Sequence, residues 1–185
     1  MALVLPLLFA ARNADGEEAV AKPSGRAAWT FDTRVGYAAA WETGVSHLGV
    51  GEGLAIGRTF GSGLHLELQG FLFQGASVEA SNDAFAYRAH YSSTQLQAGA
   101  GWDLPLAFFV VRPSLETGFV FVDGKTTVGP SKEHDAITRF VVGPSLAALV
   151  RVWHVSFGVD AQAFFVPSTI AAPSLGVFGV AGASL

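Results

Sequence analysis

Charged residues are few in this sequence, and within its alternating runs they stand singly. Asp32 and Arg34, Glu67, Arg112 and Glu116, and Asp160 occupy the polar side of runs whose alternate residues are apolar. If such runs are adjacent strands, only ~4.8 Å apart, these long side chains reach one another across strands that carry Gly, Ala, Ser and Gln on the same side. Arg34, Glu67, Arg112 and Asp160 also fall at similar depth when counted along their runs. Charges taken out of water persist only when paired, so the chemistry on offer is an internal salt-bridge plug or, alternatively, a polar gate or proton path. A small closed barrel favours the plug, because its interior is just wide enough for side chains.

A second constellation is His154-Val155-Ser156 with Asp160, the minimum set for a lipid hydrolase. Against it, the pair sits beside a tight turn, the two side chains share a face without having to hydrogen-bond, and no oxyanion hole is recognisable. Ser46-His47 is weaker still. The histidines at 47, 65, 90, 134 and 154 show no paired metal spacing, and Gly49-Val-Gly-Glu-Gly53 lacks the lysine and helix of a phosphate loop. The expectation is therefore a chain that is not an enzyme, with no catalytic residues, no metal site and no cofactor.

Above the charges the inward side turns apolar: Phe71 and Phe73, Tyr87 and Tyr91, Val120 and Val122, and Phe164. Such a set could line an apolar ligand pocket. A β-bulge at Gly70, turning Phe71 and Phe73 outward, or simple packing, is the favoured alternative.

The elements that must hold these residues follow from strict alternation. Trp29, Phe31, Thr33, Val35, Tyr37, Ala39 and Trp41 oppose Thr30, Asp32, Arg34, Gly36, Ala38, Ala40 and Glu42, with an aromatic residue at each end of the apolar side. The pattern recurs and predicts eight strands near 28–42, 49–60, 63–75, 88–103, 107–122, 137–150, 154–166 and 173–185. Most reach or pass the ~9–11 residues needed to cross a bilayer at a tilt. Tight connections at 61–63, 103–105 and 151–153 alternate with long polar ones at 76–87 and 123–136, and 43–47 and 167–172 are intermediate. This is the alternation of a barrel with short turns at one end and longer loops at the other.

Alternation alone does not say which face is outside. All three lysines lie outside the proposed strands, the polar side mixes charges with Gly, Ala and Ser, and the apolar side is aromatic at its ends. These features favour lipid around an apolar exterior over a soluble barrel. Glu52 and Arg58 fall on that apolar side and are expected near the interfaces. Half the residues are hydrophobic and 14% are charged, yet no stretch approaches the ~20 apolar residues of a membrane helix. A net charge of −4 argues against nucleic acid as a partner, and the absence of cysteine excludes disulfides and thiolate metal sites. Met1 to Ala11 has the length of a secretory apolar core, and Ala19-Val20-Ala21 resembles a cleavage site. No basic residue precedes that core, so residues 1–21 read as a signal peptide with a shortened start, 22–27 as a short segment, and 28–185 as the barrel.

The runs Gly53-Leu-Ala-Ile-Gly-Arg-Thr-Phe60, before a Gly-Ser-Gly turn, and Val111-Arg-Pro-Ser-Leu-Glu-Thr-Gly118 resemble the small bacterial outer-membrane barrels of the outer membrane protein A, X and W type. The resemblance covers about residues 28–185. It implies an all-β, eight-stranded antiparallel up-and-down transmembrane barrel in a Gram-negative outer membrane, with both barrel termini periplasmic. It also implies outer-membrane lipid and the barrel assembly machinery as partners. Such barrels usually end on an aromatic residue that the machinery reads, whereas this sequence ends Ala183-Ser184-Leu185. The expected role is structural or loop-mediated binding. The alternatives are a narrow barrel that binds or transports a hydrophobic small molecule and, more remotely, an outer-membrane lipid hydrolase.

Overall fold

The computed structural model describes residues 27–40, 48–82, 85–167 and 173–185. The expected segment 1–21, all but residue 27 of the segment 22–27, residues 41–47 with Trp41, Glu42 and Ser46-His47, and most of 167–172 lie outside the described residues. The strands are β1 (Ala28–Ala40), β2 (Val50–Thr59), β3 (Leu64–Asn82), β4 (Phe85–Trp102), β5 (Leu104–Leu106), β6 (Phe109–Val128), β7 (Ser131–Val152), β8 (Val155–Phe164) and β9 (Ser174–Ser184). β5 continues the register of β4 past Asp103: Gly101 faces Ser114 and Leu104 faces Val111 on β6. Every neighbour is antiparallel, and β1 pairs with both β2 and β9. The sheet thus closes as an eight-stranded antiparallel barrel.

Three short turns lie at one end, at Gly61–Gly63, Ala107-Phe108 and Trp153-His154. The turn expected at 103–105 is displaced to Ala107-Phe108. Leu104, Pro105 and Leu106 still pair with β6, and Ala107 takes the positive φ of 55° that reverses the chain.

The long connections expected at 76–87 and 123–136 are instead mostly strand. β3, β4, β6 and β7 run 19, 18, 20 and 22 residues, against 10 to 13 for β1, β2, β8 and β9. β2 stops pairing with β3 at Val50 opposite Gln74, while β3 continues against β4 to Asn82. β6 and β7 continue to a Gly129-Pro130 turn, and β4 bridges to them through Tyr87 opposite Val128. A four-stranded sheet therefore projects beyond the barrel at the end opposite the short turns, by about 25 Å measured along β3. Composition misled here: polar residues end a strand only where no neighbour remains to pair with it.

The bulge expected at Gly70 is not there. Gly70, Phe71 and Phe73 pair in register with Leu96, Gln95 and Ser93, and the register shifts later, between Gln74 and Ser77. Because side-chain direction has a period of two, this later shift exchanges the faces of β3 beyond it. Val78 and Ala80 thereby join Ala89 and Tyr87 on the inner side, while Ser77 and Glu79 turn outward.

Candidate functional site in the lumen and at its mouth

All six charged residues singled out in the sequence are buried in the lumen, between 2% and 6% exposed. Arg34 is the hub. Its Nη2 donates to Glu67 Oε1 at 2.6 Å and its Nη1 to Asp160 Oδ2 at 3.0 Å, with a further bond from Nη1 to Gln69 Oε1. Gln69 donates on to Gln97 at 2.7 Å, and Gln162 donates to Asp160 at 2.7 Å. The glutamines bring both a donor and an acceptor, which lets a buried ionic cluster spread into a neutral hydrogen-bonded layer.

Arg112 binds Asp103 in addition to its longer ion pair with Glu67. Its Nε donates to Asp103 Oδ1 at 2.6 Å, and Arg151 Nη2 donates to Asp103 Oδ2 at 2.6 Å, whereas Glu67 Oε2 lies 3.9 Å from Arg112. Sequence reasoning missed Asp103 and Arg151 because both were assigned to turns. Continuation of β4 into β5 is what brings Asp103 opposite Arg112. His65 joins the two groups: its Nε2 lies 3.5 Å from Glu67 Oε2 and its Nδ1 2.8 Å from the Thr59 hydroxyl. A carboxylate accepts only, so Nε2 carries a proton, and the Thr59 hydroxyl donates on to Asp103 Oδ2 at 3.4 Å.

Asp32 and Glu116 form no ion pair with a described cation. Glu116 accepts from Ser145 at 3.1 Å, and its other oxygen has no partner. Both carboxylates rest in notches left by glycine. A Cβ on Gly182 would collide with Asp32 Oδ1, and one on Gly99 would collide with Glu116 Oε2.

Toward the projecting sheet the lumen becomes aromatic. Phe71, Phe73 and Phe178 are 0–2% exposed, with ring centroids 4.7 to 6.1 Å apart, and they pack with Ala38 and Leu48. Phe178 was missed because it lies in a glycine-rich strand with little else to mark it.

The outer wall is the reverse of a soluble surface. Val35, Leu54, Leu68, Leu96, Leu146 and Val177 are each more than half exposed, and they are part of a continuous apolar band. Trp102, Phe108, Phe109 and Trp153 rim that band at the short-turn end. Arg58, beside Trp29 and Phe60 with its guanidinium carbon 5.3 Å from each ring centre, lies at the same rim. No family model matches the sequence, and no curated protein matches it. Solved structures share its fold. The chain superposes on a major outer membrane protein of Thermus thermophilus with a TM-score of 0.59 at 10% identity, over 86% of this chain and 100% of that one. Against Neisserial surface protein A the TM-score is 0.53 at 12% identity, covering 86% and 96%. Against Ail, the attachment invasion locus protein of Yersinia pestis, it is 0.52 at 9% identity, covering 85% and 96%. This is the fold of the small bacterial outer-membrane barrels.

Within this outer-membrane barrel fold, the seven residues considered for an apolar pocket divide into two sets. Phe71, Phe73, Val120 and Phe164 are at most 5% exposed and packed in the lumen. Tyr87, Tyr91 and Val122 are half-buried at its mouth, on the inner side of the projecting sheet, with Val78, Val128 and Ile137. The outer side of that sheet is polar, with Arg88 bonded to Glu79 at 2.7 Å, His90 to Ser77 at 2.8 Å and His134 to Asp123 at 2.5 Å. The His134 hydrogen bond holds the Asp123 carboxyl below its ordinary range, outside the membrane-facing band. Of the hydrolase constellation, His154 is exposed in a turn and Asp160 is bound to Arg34 and Gln162. The three residues are not brought together as a catalytic set.

Proposed function

We propose that this chain is a non-enzymatic outer-membrane protein, a closed and non-conducting barrel that anchors a four-stranded binding sheet at the cell surface. One observation carries the reading. The lumen is crossed by the Arg34 network and capped by Phe71, Phe73 and Phe178, while four strands continue past that cap into a sheet whose inner side sets Tyr87, Tyr91 and Val122 beside the polar Glu133, Asp135 and Arg139. A chain built for transport needs an open lumen, and one built for display needs rigid strands beyond the membrane. The six luminal charges then act as a structural plug. The short turns and both barrel termini face the periplasm, outer-membrane lipid surrounds the apolar band, and the barrel assembly machinery inserts it.

The test combines conductance with topology. Purified protein should give no channel steps in a planar bilayer. On intact cells, a cysteine placed at Ser131 should react with a membrane-impermeant maleimide, and one at Trp153 should not. Steady ion conductance, or labelling from the opposite side, would overturn the reading.

The half-buried Tyr87, Tyr91 and Val122 favour a second reading, in which the mouth takes a hydrophobic small molecule. Saturable binding of a fluorescent fatty acid that is lost in Tyr91→Asp with the fold intact would support it. Binding unchanged by that substitution would refute it.

A further inference from the structure

Among the described residues, Glu52 is the one carboxylate on the apolar outer band, and no described side chain pairs with it. Arg58, on the same strand, is six residues away and about 20 Å distant along it. Glu52 faces Val35, two positions from the Tyr37–Val50 pair with which β2 begins, so it sits just inside the interface on the side of the projecting sheet. Beneath it the wall is indented. Gly70 points outward with no side chain, and a furrow of about 550 Å³ opens among Thr33, Val35, Leu54, Leu72, Thr94 and Leu96. A second hollow of about 290 Å³ shares Thr33 and Leu54 with the first and continues to Ile56 and Leu68.

We propose that this furrow is a lipid site, with an acyl chain lying along Leu54 and Ile56 and a primary ammonium headgroup donating to Glu52. The proposal rests on the membrane-spanning reading of the outer band. The span from Glu52 to Ile56 is about 13 Å along the strand, or about 10 Å of depth at the tilt of a barrel strand, within the ~15 Å of one hydrocarbon leaflet. A carboxylate facing lipid without a partner is costly, and a headgroup that brings both positive charge and N–H donors removes that cost. A missing side chain at Gly70 would leave a void against a flat wall, which an acyl chain fills.

The test uses the full chain in vesicles of mixed phosphatidylethanolamine, phosphatidylglycerol and phosphatidylcholine, with retained lipid identified by native mass spectrometry after detergent release. Wild type should hold an ethanolamine lipid in preference to the other two. Glu52→Gln and Gly70→Leu should each abolish that preference. Gly70→Leu is expected to fold, since a Cβ there meets only Leu96 Cδ2 at 3.3 Å and the Gln95 carbonyl at 3.8 Å. The heat-dependent gel shift of the same samples separates two failures. A chain that never inserts ends the membrane reading itself, whereas an inserted wild-type barrel with no lipid preference ends the site alone. Preference that survives either substitution overturns the proposal. So does retention that depends on added calcium, which would mean a metal-bridged phosphate instead of an ammonium.

Discussion

Phe73 lies directly across Gly51: its Cε1 is 2.5 Å from where a Cβ on that glycine would stand. Phe71 stands in the same relation to Gly53, at 2.6 Å, so one glycine-rich strand makes room for two rings of the next. Gly51→Ala should therefore destabilise the barrel by about 1–3 kcal/mol through overpacking. Adding Phe73→Leu should return part of that loss. Urea unfolding in lipid vesicles measures both, and strictly additive effects would show that the ring and the glycine are not coupled.

Arg34 holds two buried carboxylates, Glu67 and Asp160, at 2.6 and 3.0 Å. Arg34→Ala leaves Asp160 without its cation and Glu67 with only the longer contact to Arg112, and should cost about 3–5 kcal/mol. The same unfolding assay reads it. A change near zero would mean that water reaches the cluster and that the plug is a hydrated channel.

Phe178 is fully buried between Phe71 and Phe73. Phe178→Ala should cost about 3–5 kcal/mol, as expected for a buried ring. It should still pass no ions, because Gln69 and Gln97 remain bonded beneath it. Channel activity in that variant would place the seal of the lumen at the aromatic cap alone.

Asp123 and His134 make a titratable contact on the outer side of the projecting sheet. With the folded pKa of Asp123 held down chiefly by the His134 hydrogen bond, its contribution is present above the unfolded value and lost as pH falls through the folded one. Carboxyl NMR should give Asp123 a midpoint below the ordinary aspartate range, rising in His134→Ala. An unchanged midpoint would assign the effect elsewhere.

Alternation by itself determined that Leu64, Leu66 and Leu68 share one face while His65, Glu67 and Gln69 share the other, because side-chain direction in a strand is local geometry with a period of two. Long apolar sides rich in aromatic residues also sufficed to indicate which face meets lipid, since no soluble surface accommodates such a band. What alternation cannot carry is register, which depends on how far each strand slides against its neighbours before the sheet closes. Register is what brought Asp103 to Arg112 more closely than Glu67, and what made Arg34 the hub. It moved the bulge from Gly70 to the Gln74–Ser77 step, kept Phe71 and Phe73 inside, and brought Phe178 between them from the far end of the chain. The projecting sheet was hidden for the same reason: polar residues at 76–87 and 123–136 look like loops until β4 and β6 are seen to supply each other's missing hydrogen bonds.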